Sequence, residues 1–193
     1  MFKMLTTQLT GLYQRILQTE EEQIEDAARL LAQAAIGEGN VYFACFGELQ
    51  AVEHNAFLSA APFTKLARYT KDVQLTDADR VCIFTPTADN EEAITLAHYC
   101  NDHFIPFAVV ASEKASDENA LSDLAYVYIS LKVRGGLLPH PTDLSKRVVM
   151  PHLLAALFVY EAMKLSYDEM VEDDDDFGED NTPEDDASAS PFA

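Results

Sequence analysis

Residues 79–94 read Asp-Arg-Val-Cys-Ile-Phe-Thr-Pro-Thr-Ala-Asp-Asn-Glu-Glu-Ala-Ile, and this stretch decides the fold class. Its apolar run at 81–84 is typical of a strand that is buried on both faces. A turn follows at 85–88, and the apolar spacing over residues 89–103 predicts an amphipathic helix. A strand, a short loop and a helix in this order form one unit of an α/β sheet.

The same alternation continues on both sides of this unit. Further strands are predicted at residues 41–46, 106–111 and 124–131, with a weaker one at 66–70. Helices are predicted at residues 48–60 and 148–167, and residues 5–36 form either two helices or one long helix. We therefore predict a three-layer α/β sandwich, in which helices cover both faces of a mostly parallel sheet of about five strands.

Acidic residues dominate the charge of the chain, with 33 Asp and Glu against 13 Lys and Arg and a formal net charge of −20. Residues 171–193 carry about half of this excess and few large apolar side chains, which predicts a disordered acidic tail. The rest, residues 1–170, has a suitable length for a single domain with an N-terminal helical segment. Because basic residues are scarce, we expect no nucleic-acid partner.

No segment has the character of a signal peptide or a membrane span, so we expect a cytoplasmic protein without a membrane partner. The three cysteines, Cys45, Cys82 and Cys100, lack the paired spacing of a zinc site or a disulfide framework. We expect them to be reduced, buried and inert. We expect no metal and no cofactor.

Two loops are the candidates for chemistry, because ligands of open parallel sheets bind beyond the carboxyl ends of the strands. These loops are residues 46–48 and residues 85–90. The second presents two hydroxyl groups before a helix, where free N–H groups and the helix dipole favour an anion such as phosphate. Alternatively, Asp89 and Glu92 form a capping box, in which Asp89 accepts from backbone amides and Glu92 reaches back. The helix then neutralises its own N-terminus.

Residues 79–94 resemble the signature stretch of sugar isomerase (SIS) domains, where a Ser/Thr-rich loop joins a hydrophobic strand to a helix. The order of elements over residues 20–165 is similar as well. Within that family the chain resembles the phosphoheptose isomerase branch, and most of all an uncharacterised group of bacterial SIS-like proteins. The resemblance implies a flavodoxin- or Rossmann-like α/β fold, a homodimer or homotetramer, and a phosphosugar as the bound small molecule.

The resemblance also implies roles for individual residues. Catalytic histidines of the phosphoheptose isomerase branch match His54 and His152. The implied phosphate- or sugar-binding residues are Gly47, Glu48, Thr85, Thr87, Asn90 and Arg134. Each histidine also has an ordinary interpretation, His54 as a surface residue and His152 as a hydrogen-bonded one.

Several departures from the family pattern argue against activity. Ala88 replaces the usual Gly, Pro86 removes a backbone donor, and Asp89 adds negative charge to the phosphate loop. Leu58 stands where the branch has a Glu, so an obvious general base for aldose–ketose isomerisation is missing. Two histidines alone do not hold a catalytic zinc ion.

We therefore expect a phosphosugar-binding or carbohydrate-binding protein with a degenerate, phosphoheptose isomerase-like site. If it is active, the reaction is an aldose–ketose isomerisation of a sugar phosphate. The alternative is a non-catalytic oligomeric scaffold or regulatory protein whose pocket is plugged.

Overall fold

A parallel sheet of five strands lies at the centre of the computed structural model, which describes residues 1–179, with side chains as far as residue 172. The strands of this sheet are β1 (Val41–Cys45), β2 (Leu66–Arg68), β3 (Arg80–Phe84), β4 (Phe107–Ala111) and β5 (Val127–Ser130). The helices are α1 (Phe2–Ile36), α2 (Gln50–Leu58), α3 (Glu91–Asp102), α4 (Ala120–Leu124) and α5 (His152–Glu179), and a 3-10 turn spans Gly47–Leu49. A small antiparallel ribbon pairs β6 (Leu138–Pro139) with β7 (Arg147–Val148). This architecture confirms the predicted fold class.

The order of the strands determines where the sheet leaves a crevice. Neighbours across the sheet are β2, β1, β3, β4 and β5, and every pairing is parallel. From β1 the chain first goes outward to β2, then crosses back to β3 and continues to the other edge. Such a switch point leaves a crevice outside the carboxyl ends of β1 and β3. The two candidate loops, residues 46–48 and 85–90, leave the sheet at this point.

Apolar side chains of the sheet point alternately into two cores, one on each face. Along β3, Cys82 and Phe84 belong to one core, whereas Val81 and Ile83 belong to the other. The first core is closed by α1, α2 and α5, and the second by α3 and α4. The continuous apolar run at 81–84 therefore has the origin that we predicted, a strand covered on both sides.

The N-terminal segment is one continuous helix, α1, which decides between the two alternatives that the sequence left open. It packs against α5, where the rings of Tyr13 and Phe158 stack with their centroids 4.5 Å apart. Glu20 lies near the middle of α1, and its side chain is buried against the end of β5. There its Oε2 accepts a hydrogen bond from the backbone N–H of Ser130 at 2.9 Å.

Two predicted boundaries of the last helix were wrong. We expected the helix to begin at Val148, but Arg147 and Val148 form β7, and α5 begins at His152. The carbonyl of Pro151 accepts the first helical hydrogen bond, from the N–H of Ala155 at 2.8 Å.

At its other end α5 continues to Glu179, past the predicted helix end at residue 167. Met170 and Val171 still pack against the core, which explains why the helix does not stop there. The remainder of the predicted acidic tail, residues 180–193, lies outside the described residues. Within residues 1–179 no helix combines the length and the hydropathy that a membrane span requires.

Candidate functional site

The two loops at the switch point are in direct contact with each other. Gly47 has a φ of +57°, and a Cβ atom added to it would lie 3.2 Å from Cγ of Pro86. The N–H of Phe46 donates to the carbonyl of Phe84 at 2.8 Å, which ties the first loop to the end of β3. Pro86 of the second loop therefore occupies the space beside Gly47, which the resemblance assigns to a ligand.

The hydroxyl of Thr85 points into its own loop. This residue is completely buried, and its Oγ1 donates to the carbonyl of Thr87 at 2.9 Å. Its backbone N–H is also used, by the carbonyl of Val110 in β4 at 3.0 Å. Thr87 itself is half-buried. In this conformation Thr85 stabilises the turn and presents no hydroxyl to a ligand.

A carboxylate from the next loop occupies one backbone amide of the candidate phosphate loop. Oε2 of Glu113, which follows β4, accepts a hydrogen bond from the N–H of Ala88 at 2.7 Å. Backbone N–H groups just before a helix are the groups that commonly hold phosphate oxygens. The loop therefore retains an anion-binding amide, and the anion bound there is the protein's own.

The cap of α3 differs from the predicted capping box. Asn90, not Asp89, is the N-cap, and its Oδ1 accepts from the N–H of Ala93 at 3.0 Å. Glu92 does not reach back, because its Oε1 accepts a hydrogen bond from Nζ of Lys71 at 2.7 Å. Asp89 is exposed. Asn and Asp are equally good N-caps, so the pattern alone could not distinguish a helix that begins one residue later.

The two histidines predicted as catalytic, His54 and His152, have different surroundings in the structure. Nδ1 of His152 lies 2.7 Å from Oε1 of Glu48, and the His152 side chain is only 13% exposed. His54 is exposed on α2, and Leu58, one turn further on, is exposed as well. Glu48, predicted as a sugar-binding residue, thus orients the His152 ring across the first loop. Among residues 1–172 no group of three potential metal-ligating side chains converges.

The cysteines provide no nucleophile near these loops. Cys82 and Cys100 are buried, Cys45 is partly buried, and all three are free. Burial raises the pKa of the Cys100 thiol to about 12, and it also raises the pKa values of the Cys45 and Cys82 thiols. All three therefore remain protonated at neutral pH, as expected for inert thiols.

Arg134 lies apart from the threonines with which we grouped it. It follows β5 and lines a cavity of about 530 Å³ to which neither candidate loop contributes. Sequence reasoning missed the four other basic residues of this cavity, which are Arg15, Lys114, Lys132 and Arg147. They are far apart in the chain, and no local motif connects them.

Comparison with known proteins identifies the family. The family model described as "Domain of unknown function (DUF2529)" matches residues 1–171. The uncharacterized protein YwjG of Bacillus subtilis (strain 168) is 33% identical over 174 residues, which cover 90% of this chain and 99% of the relative. The alignment thus covers nearly all of the relative and most of this chain, including its α/β domain.

Solved structures share the fold at low sequence identity. Phosphoheptose isomerase GmhA from Neisseria gonorrhoeae has a TM-score of 0.59 at 14% identity, covering 83% of this chain and 94% of its own. The E. coli CFT073 protein c3406 also gives 0.59, at 11% identity and with coverage of 88% of this chain and 90% of its own. The chain therefore belongs to the DUF2529 family and has the fold of SIS-domain phosphosugar isomerases.

Proposed function

We propose that the protein binds a phosphosugar or a related carbohydrate derivative at the switch-point crevice and does not isomerise it. The single observation that carries the proposal is the 2.7 Å hydrogen bond from the Ala88 N–H to the Glu113 carboxylate. This bond indicates that the Ala88 N–H is oriented to donate to an anionic oxygen, and Ala88 lies in the second candidate loop, residues 85–90. Glu113 is an exposed loop residue, so its carboxylate can leave when a phosphoryl group arrives.

The absence of turnover follows from the groups that surround the crevice. Isomerisation requires a positioned base that moves a proton between neighbouring carbons. Leu58 supplies no base and His54 is exposed on α2, so no second group stands opposite His152, which Glu48 orients. The resulting site holds and orients a ligand without the pair of groups that the reaction needs.

Binding is tested by thermal shift with a panel of sugar phosphates and the matching unphosphorylated sugars at millimolar concentration. We expect the phosphorylated compounds alone to stabilise the protein. Glu113→Ala should bind them more tightly, because the competing carboxylate is gone, and Glu118→Ala, an exposed neighbour in the same loop, should behave like the wild type. If neither the wild type nor Glu113→Ala is stabilised, the binding proposal is wrong.

The absence of catalysis is tested separately with sedoheptulose 7-phosphate. We expect no turnover by the wild type at a protein concentration high enough to detect a slow isomerase. Turnover that disappears in His152→Ala would contradict this part of the proposal and would make the protein an enzyme of the phosphoheptose isomerase type.

A second candidate function is a non-catalytic oligomeric scaffold or regulatory protein, a homodimer or homotetramer with a closed crevice. The specific observation in its favour is the contact of Gly47 with Pro86, together with the inward hydroxyl of Thr85. In that case Glu113→Ala creates no binding site, because the two loops themselves fill the crevice. A defined oligomer in light scattering, with no response of Glu113→Ala to sugar phosphates, would favour the scaffold.

A further inference from the structure

A second concave site lies at the same edge of the sheet, beyond the ends of β4 and β5. It is a cavity of about 530 Å³, within the range of small-molecule sites in proteins. The segments that surround it are the first half of α1, the loops after β4 and β5, and the β6–β7 ribbon. Its lining residues are Gln8, Leu12, Arg15, Thr19, Lys114, Lys132, Val133, Arg134, Gly135, Gly136, Leu137, Arg147 and Pro151.

The charge of this cavity is opposite to that of the protein. Five of the 13 basic residues of the chain line it, in a chain whose net charge is −20. No acidic side chain is among its lining residues in the described part of the chain. Like charges held in one cavity repel each other, and a bound anion relieves that repulsion.

One of the five cations is neutralised within the protein. Nζ of Lys132 forms an ion pair with Oε1 of Glu20, and both side chains are largely buried. Among the described residues, the guanidinium of Arg147 donates to uncharged groups alone, from Nε to the carbonyl of Gly136 at 2.6 Å and from Nη2 to that of Leu137 at 2.7 Å. These bonds fix the orientation of Arg147 and leave its charge uncompensated.

The other three cations have no carboxylate partner among the described residues. Arg15 lies on α1, Lys114 in the loop after β4 and Arg134 in the loop after β5. A guanidinium presents paired N–H donors that match two oxygens of a phosphoryl group. Two arginines and a lysine on separate segments, with the fixed Arg147, therefore offer donors to one anion from several directions.

We propose that this cavity binds a phosphorylated small molecule carrying at least two negative charges. The phosphoryl group lies among Arg15, Arg134 and Arg147. The organic part packs on the apolar portion of the lining, which Leu12, Val133, Leu137 and Pro151 provide. This site is distinct from the switch-point crevice, because neither residues 46–48 nor residues 85–90 line it.

The experiment is calorimetric titration of the full-length protein with pyrophosphate, repeated at low and high NaCl concentration. Arg134→Gln and Arg15→Gln each remove one donor and should each weaken binding about tenfold, with about a hundredfold loss in the double variant. Arg29→Gln on the same helix and Lys146→Gln near the ribbon remove exposed cations outside the cavity, and they should bind like the wild type. Added salt should weaken the binding of the wild type.

The outcomes separate this site from the proposed function. Binding that is lost in the double variant and kept in both controls supports the cavity, whether or not a sugar phosphate binds at the crevice. Pyrophosphate binding that is unchanged in the double variant, or no binding at low salt, overturns it. If sugar phosphates stabilise the double variant as much as the wild type, they bind at the crevice and not in this cavity. That result supports the proposed function, and the pyrophosphate titration still decides whether the cavity binds an anion.

Discussion

The substitution Glu20→Gln should destabilise the fold and strengthen anion binding at the same time. Glu20 accepts from the N–H of Ser130 and pairs with Lys132, a lining residue of the basic cavity. Glutamine keeps the shape and one acceptor but removes the negative charge. Lys132 then becomes a further uncompensated cation in the cavity. A residue with a purely structural role would change stability alone.

The loss of stability follows from the burial of the pair. Breaking a fully buried ion pair by removing one partner costs about 3–5 kcal/mol. The side chains of Lys132 and Glu20 are 19% and 9% exposed, so water partly solvates the stranded ammonium and about 2 kcal/mol is the better value. For a chain of this length that corresponds to a melting temperature lower by about 4–8 °C.

The gain in affinity follows from the additional charge. One more cation several ångströms from a dianion, at the intermediate dielectric of a protein surface, contributes about 1 kcal/mol or more. Pyrophosphate should therefore bind about fivefold more tightly to the variant. The assay pairs thermal denaturation with calorimetric titration at low salt. Glu21→Gln, an exposed neighbour on α1, is the matched control and should change neither quantity.

An unchanged or weaker affinity of a folded Glu20→Gln variant would refute the reasoning. It would mean that Lys132 does not reach the bound anion, or that the anion binds elsewhere. A variant that loses stability without gaining affinity would reduce Glu20 to a residue that joins α1 to β5.

Three further predictions concern stability and are checked by urea denaturation. Gly47→Ala forces a Cβ into a left-handed conformation against Pro86 and should cost about 1–2 kcal/mol, whereas Gly11→Ala, with open space on α1, should gain about 0.5–1 kcal/mol. Equal effects would contradict the backbone assignment. Asn90→Ala should cost about 1 kcal/mol and Asp89→Ala almost nothing; the reverse result would restore the capping box. Burial raises the pKa of Tyr128 from 10.0 to about 12, so the folded state favours the protonated phenol. The contribution of this phenol to the free energy of unfolding is complete below pH 10 and is lost as the pH rises towards 12. With an allowance for partial solvation this amounts to about 2 kcal/mol, and Tyr128→Phe should show a shallower alkaline decline; an equally steep decline would exclude Tyr128 as its source.

The central sheet could be predicted because its signal is local. Strands such as β3 and β4 are buried on both faces, so residues 81–84 and 107–111 are all apolar and this pattern can be recognised without knowing which strands pair. The ribbon of β6 and β7 gives no such signal. Its strands have two residues each, too few to show an alternating pattern, and they depend on pairing across the loop between them, as when the N–H of Leu137 donates to the carbonyl of Val149 at 3.0 Å.

The candidate site could be predicted only in part, for a similar reason. The sequence identifies the loops that leave the switch point, because strand ends and helix starts have local patterns. It does not reveal that the Thr85 hydroxyl finds an acceptor within its own loop, or that Glu113 reaches the amide of Ala88. Those contacts depend on the course of the chain between β3 and β5. The sequence therefore predicted where the loops lie, but it did not predict which of their donors and acceptors are already used within the protein.

The distribution of ion pairs gives an independent argument for the basic cavity. With 33 acidic residues available, a cation in this chain finds a carboxylate easily. Six of the 13 basic residues do so among the described residues, namely Arg29, Arg68, Lys71, Lys132, Lys146 and Lys164. Of the seven that do not, four line this cavity, namely Arg15, Lys114, Arg134 and Arg147. Placing four unpaired cations in one cavity destabilises the folded state, because like charges repel each other. Their convergence becomes favourable when an anion from solution is bound among them.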